Sequence, residues 1–352
     1  YGLQYGRVGF YPAIEPRQVG TAFGADYLFL WGIMFTRLEL VGRVLYWLAV
    51  PLSVGGMYTI LTTLEYTVET RLSALALFAT TPIVWWIGST FFQPFAWVLL
   101  FTFGAGYFVL QNDNGATVLM AAFVGLAAGT KQQSLALIAG GLAVVVLRAL
   151  RDGRRTPVVG YVLGFVVAVS ASGYVLLPIR NLIQYGSLFH PIITGGSGGT
   201  VGLYSLFVKS MRVLLELIRI PIPLDGLNDA LTRFGEAFLA TFGGGERLPG
   251  NNSGQAYQFW LPSFPKEGFG LLGLLLVLLV PSTAYRGVRD LRDADPVERL
   301  LYNDRLHYAL LASSVVVGPL VLLEASSTGY STQTYFGPGI LLTFPLVIGA
   351  LD

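Results

Sequence analysis

The residue types that could do chemistry in this chain fall in a few short stretches. Lys131 stands in Gly129-Thr130-Lys131-Gln132-Gln133, between two uncharged runs. Its ammonium can bind an anionic oxygen there, or it can simply snorkel to a polar surface, and Gln132 beside it adds an amide to the same turn. Arg180 and Asn181 directly follow another uncharged run. A guanidinium so placed can form a forked pair with a phosphate or carboxylate, or it can anchor a helix end. Tyr185-Gly186-Ser187-Leu188-Phe189-His190-Pro191 follows, offering a tyrosine hydroxyl and, in His190, a group able to donate a proton near neutral pH or to be an ordinary loop histidine. Towards the N-terminus, Glu15 and Asp26 are the acidic residues of the first 37, and either carboxylate can serve as a general base. Arg17 and Gln18 are the polar neighbours that would hold a substrate, while Glu15 with Arg17 also reads as a solvated pair. Gln93, in Phe91-Phe92-Gln93-Pro94, can bind a hydroxyl or cap its own turn. His307 receives a structural reading only.

Composition excludes several chemistries. The 352 residues include no cysteine and two histidines, so thiolate metal sites, disulfides and a histidine-rich metal centre are ruled out. A formal charge of +2 is too small to suggest a nucleic-acid partner. Glycine runs at 195–199 and 243–245 can approach an anion closely, but neither has the lysine and strand-to-helix setting of a P-loop. The plainer reading is flexible hinges. Asn251-Asn252-Ser253 matches a glycosylation sequon, a pattern too short to carry weight. There is no internal repeat.

The elements that must position these residues are apolar. Hydrophobic residues make up 54% of the chain against 12% charged, and the mean hydropathy is +0.63. Uncharged stretches run over 44–64, 72–112, 114–130, 132–147, 156–179, 268–285, 308–323 and 325–351. None alternates with period two, so helices rather than barrel strands are expected. A crossing needs roughly 20 apolar residues. With a turn at Gln93-Pro94, where proline cannot continue a helix, the runs predict spans over 44–64, 73–90, 95–110, 117–130, 132–147, 157–179, 268–281, 306–323 and 335–350. The expected fold class is therefore an all-α polytopic membrane bundle of about nine spans.

Arg148, Arg151, Arg154 and Arg155 crowd one link, and Arg286, Arg289, Arg292, Arg299 and Arg305 another. The excess of positive charge assigns both links to the cytoplasmic side. Parity then sends 1–41, the Gln93 and Lys131 turns, and the long 180–267 segment to the outer side of a cell membrane. Within those outer segments, 25–37, 203–220 and 227–241 read as helices lying along an interface, the second with Lys209, Arg212, Glu216 and Arg219 opposite Leu206, Val213, Leu214 and Leu217. Four regions follow: 1–41 as outer loop, 42–179 as six spans, 180–267 as a second outer loop and 268–352 as three spans.

Several of these stretches, in this order, resemble GT-C membrane glycosyltransferases, the group of protein mannosyltransferases, aminoarabinose transferases and RgtA/B/C/D-like enzymes. The run from Tyr1 to Pro12, then Glu15-Pro16-Arg17-Gln18-Val19 and Gly24-Ala25-Asp26-Tyr27-Leu28, is similar to their first outer loop. Gly125-Leu126-Ala127-Ala128-Gly129-Thr130-Lys131 resembles a Gly-Leu-Ala-x-Gly-Thr-Lys turn of that group. Arg180-Asn181 with Tyr185 to Pro191 resembles its Arg-Asn followed by Gly-Asn-Pro-x-x-Pro, and 264–273 its Gly-Pro-x-Gly stretch. Each motif alone is weak, and the order gives the match its force.

The resemblance implies an inverting transfer of a sugar from a polyprenyl-phosphate donor to an acceptor hydroxyl on a glycan, lipid or protein. Lys131 and Arg180 would stabilise charge growing on the leaving phosphate. Arg17, Gln18, Asp26, Gln93, Gln132, Asn181, Tyr185 and His190 would line the substrate site. The family's catalytic carboxylate falls just before the position of Tyr1, so the chain is expected to be truncated there, with Glu15 as the base it does carry. Gln93 departs from the acidic residue often found at that turn. No cofactor is fixed by the residues, and the site leaves room for a divalent cation. A transporter or lipid flippase, and a non-catalytic scaffold of the same fold, stay open beside the enzyme.

Overall fold

The computed structural model describes residues 34–89, 94–111, 113–172, 270–292, 296–325 and 332–349, with isolated residues between 175 and 241. Every regular element among them is helical. In chain order these are α1 (Glu39–Trp47), α2 (Ala49–Thr63), α3 (Val68–Ala79), α4 (Pro82–Ser89), α5 (Pro94–Leu110) and α6 (Asn114–Thr130). A 3-10 turn (Gln132–Leu135) leads into α7 (Ala136–Asp152), then come α8 (Thr156–Ala171), α9 (Gly270–Arg292), α10 (Pro296–Tyr302), α11 (Asp304–Ala325) and α12 (Thr332–Ile348).

Local chemistry accounts for where these helices begin and end. The Asp113 carboxylate accepts the Ala116 N–H at 2.6 Å and caps α6, and Thr67 does the same for α3 through the Thr70 N–H. Asn303 caps α11 by accepting from the Leu306 N–H at 3.1 Å. Gly153 ends α7 with φ +61°, the left-handed conformation that glycine adopts without strain, and Pro157 stands in the first turn of α8. Asp113→Ala should destabilise the protein by about 1 kcal/mol, read as a lower thermal midpoint, because an orphan N–H at the start of α6 loses its partner.

Several expected elements differ from the observed ones: the helix of the 157–179 run ends at Ala171, and the 132–147 run opens on a 3-10 turn and continues to Asp152. The 73–90 run is broken into α3 and α4 at Thr80-Thr81-Pro82, where Thr80 and Thr81 turn their hydroxyls back on the carbonyls of Ala76 and Leu77 and proline restarts the chain. The 268–281 run continues through Pro281 to Arg292, and the short helix α10 follows where only a charged link was expected. The expected helices over 25–37, 203–220 and 227–241 lie wholly or mostly outside the described residues. By length and composition, one helical run, Leu40–Thr63, is long and apolar enough to cross a membrane; Phe95–Leu110, Asn114–Thr130, Thr156–Ala171, Leu275–Arg286 and Pro338–Ile348 are shorter apolar helices.

The bundle packs by close approach of small residues. A Cβ added at Gly164 of α8 would meet the Val118 carbonyl oxygen of α6 well inside 3.0 Å, and one at Gly125 would lie 2.9 Å from Ala168 Cβ. These two helices therefore touch backbone to backbone. Gly56 beside Phe103 and Gly106 beside Ile60 set α2 parallel to α5, while Gly140 beside Ser314 and Leu311 docks α7 on α11. Phe78 meets Phe103 edge-on at 5.5 Å in the centre, with Met57, Tyr308 and Phe344 fully buried nearby. Buried hydroxyls bond within their own helices, Ser53 to the Ala49 carbonyl and Thr102 to the Val98 carbonyl, so the interior leaves few polar groups to satisfy from outside.

Candidate functional site

The contacts sort the helix ends into two poles. At the first, Lys131 closes α6 in an extended conformation, donating its N–H to the Ala127 carbonyl while its own carbonyl accepts from the Ser134 N–H. Its Nζ lies 5.5 Å from the centre of the Phe95 ring, at the start of α5. The Lys131 turn and the start of α5 thus sit together. Gln132 opens the 3-10 turn beside it. Glu15, Arg17, Gln18, Asp26, Gln93, Arg180, Asn181, Tyr185 and His190 lie outside the described residues. Trp47 and Trp85 pack 6.5 Å apart at this same pole, near the start of α2.

The opposite pole is built on arginine. Arg148 of α7 is 2% exposed, yet it carries a charge that no carboxylate among the described residues touches. Its terminal nitrogens donate to the carbonyls of Val109 at 2.6 Å and Gln111 at 2.8 Å, and to the Thr117 hydroxyl at 3.0 Å. Those carbonyls belong to the last turn of α5, where four C=O groups lack helical partners. The guanidinium satisfies two of them, complements the negative end of the α5 dipole, and ties that end to the first turn of α6. Its Nε is buried without a partner.

Arg305 does similar work for α2, donating to the Leu64 carbonyl at 2.9 Å and lying 5.8 Å from the Tyr66 ring. The Tyr66 hydroxyl donates to the Pro345 carbonyl of α12 at 2.9 Å, and Tyr308 donates to the Leu342 carbonyl at 2.7 Å. Two tyrosines from α11 and the α2–α3 link thereby hold the proline-containing last turns of α12. Just beyond the apolar stretch of α7, Arg151 pairs with Asp152 at 2.7 Å and stacks against Tyr302 of α10 at 6.0 Å. That hydrogen bond holds the exposed Asp152 carboxyl below its ordinary range.

A cleft of about 620 Å³ opens at this arginine pole, walled by Glu65, Glu298, Tyr302, Asp304 and Arg305. With three carboxylates to one guanidinium, and that guanidinium already bonded to Leu64, its wall is negative. Among the described residues, no group of three or more His, Asp or Glu is arranged to hold a metal ion. In the sequence Arg148 has only a share in the charge of its link, and His307 only a structural role. Neither Asp304 nor the cleft was singled out, because their meeting depends on how α2, α10 and α11 pack.

Comparison of the chain with protein-family models, with curated proteins and with solved structures finds no match in any of the three. The described residues form an all-α bundle with two chemically distinct poles.

Proposed function

We propose that this chain is a polytopic membrane protein of the cell envelope and, within that class, a glycosyltransferase that moves a sugar from a polyprenyl-phosphate donor to an acceptor hydroxyl at the outer face. The observation that carries the membrane half is the outward side of α8. Val159, Val162, Leu163, Val166 and Val167 are 50–66% exposed on one helix, a continuous apolar face that water solvates poorly. Leu142, Val146 and Leu150 extend the pattern on α7, and Leu52 on α2. Lipid is the solvent that suits such a surface. Arg71, Arg148, Arg151, Arg154, Arg155 and Arg305 gather at one pole, against Arg43 and Lys131 at the other, the asymmetry by which positive loops stay cytoplasmic.

The glycosyltransferase half rests on the ordered resemblance of the sequence to GT-C enzymes, with Lys131 and Gln132 as its described site residues. Lys131 lies opposite the arginine pole, the side on which a lipid-phosphate donor would present its phosphate. In this reading Lys131 and Arg180 stabilise the leaving phosphate, and Glu15 is the base carried by the chain. The test is transfer from radiolabelled polyprenyl-phosphate hexose in membranes carrying the protein. Lys131→Ala or Arg180→Ala should lower transfer about 100-fold while the protein stays folded in detergent. Unchanged transfer by both variants overturns the phosphate site. Absence of transfer from a broad donor panel favours the scaffold or transporter reading, and the glutamine at position 93 points to the scaffold.

A further inference from the structure

The corner between α10 and α11 holds two buried acceptors face to face. His307 is fully buried, and its Nε2 lies 2.9 Å from the Leu300 carbonyl oxygen at the end of α10. A carbonyl can only accept, so Nε2 carries a hydrogen. In a neutral ring that leaves Nδ1 as a bare lone pair. Nδ1 in turn lies 3.7 Å from Asp304 Oδ1, and neither atom has a hydrogen-bond partner although both are shut off from solvent. The gap is too narrow for a bridging water. Two acceptors so placed repel each other, whereas one more proton, on Nδ1, turns the same contact into a charge-assisted bond.

We propose that Asp304 and His307 hold one added proton between them as an imidazolium–carboxylate pair, and that this proton latches the α10–α11 corner, where the charged ring also donates more strongly to the Leu300 carbonyl. The charges around the pair come from every neighbouring element. Arg148 and Arg151 of α7 both act on Asp304, and Asp113 at the start of α6 acts on Arg148. Glu298 and Tyr302 come from α10, Arg305 from α11 itself, and Glu65 from the α2–α3 link across the cleft. With two guanidinium groups acting on the carboxylate, the added proton belongs on the ring. Asp304 and Tyr302 also form part of the cleft wall, so the latch sets the width of that opening. The corner is tighter with that proton in place and looser once the ring has given it up.

The chain has two histidines, so His190→Gln leaves His307 as the sole imidazole. In that full chain, in nanodiscs, ¹⁵N-histidine NMR is followed between about pH 5 and 8, the range in which imidazole changes charge. The expected result is a ring that carries hydrogen on both nitrogens at the acidic end of the range. Amide exchange over 300–307 should be slowest where that second hydrogen is present. When Asp304→Asn is added, the asparagine amide donates directly to Nδ1, so the ring should stay neutral with Nε2–H throughout and exchange should lose its pH dependence. A neutral ring with bare Nδ1 from pH 5 upward in the His190→Gln chain overturns the proposal. An unaltered titration after Asp304→Asn overturns it equally.

Discussion

Arg148→Met is expected to destabilise the protein by on the order of 3 kcal/mol, the largest single-residue effect at the arginine pole. Methionine matches the length and flexibility of the aliphatic stem but offers no donor. The Val109 and Gln111 carbonyls and the Thr117 hydroxyl then lose the group that satisfies them, Val109 and Thr117 in places that water does not reach. Buried acceptors left in that state cost about 1–3 kcal/mol each, and a carbonyl with a second lone pair engaged costs less than one stripped bare. Arg148→Lys should recover only part of the loss. An ammonium is a point charge that cannot span the fork from α5 to α6. The measurement is the thermal unfolding midpoint in a fixed detergent, with the ranking native, lysine, methionine. Equal midpoints for native and methionine would show that the three acceptors are satisfied without Arg148, and the clamp would have to be abandoned.

The second large effect is expected at the α6–α8 contact. Gly164→Ala places a methyl group against the Val118 carbonyl oxygen, and the backbone on that side has no rotamer to turn away. The two helices must separate, costing about 1–3 kcal/mol through the contacts they lose along Ala121, Gly125 and Ala168. Gly55→Ala supplies the control. Gly55 lies in α2 with nothing within 4 Å of the added Cβ, so the same substitution should be neutral or stabilise by about 0.4–1 kcal/mol. A destabilisation common to both variants would mean that glycine is needed for something other than close approach. Opposite signs would assign the effect to packing.

These two predictions concern residues that the sequence reading treated as ordinary, and the reason is physical. The apolar runs are hydrophobic on every side, so no amphipathic stripe reveals which face of a helix meets its neighbours. Gly164 is one of 43 glycines and Arg148 one of four arginines in a single link, and nothing in their local spacing sets either apart. Only the docking of α7 against α5 and α6 turns Arg148 inward, while Arg154 and Arg155 in the same link remain exposed. The same holds for Asp304 and His307. Their spacing of three places them on one side of a helix, but Leu300 and the α7 arginines come to them from elsewhere in the fold.

By itself, the sequence determined that the described chain is helical, and it located most helix ends. Length without charge set the helices, and proline at 94, aspartate at 113, glycine at 153 and proline at 157 punctuated them, because these are effects of the nearest few residues. It also located Lys131 at a turn between two helices. The tertiary structure decided what each turn meets: Lys131 beside Phe95, Arg148 on the end of α5, Arg305 on the end of α2, and a histidine facing a carboxylate in a closed corner. Those pairings join residues 3 to 241 positions apart, and their energy exists only once the helices have packed.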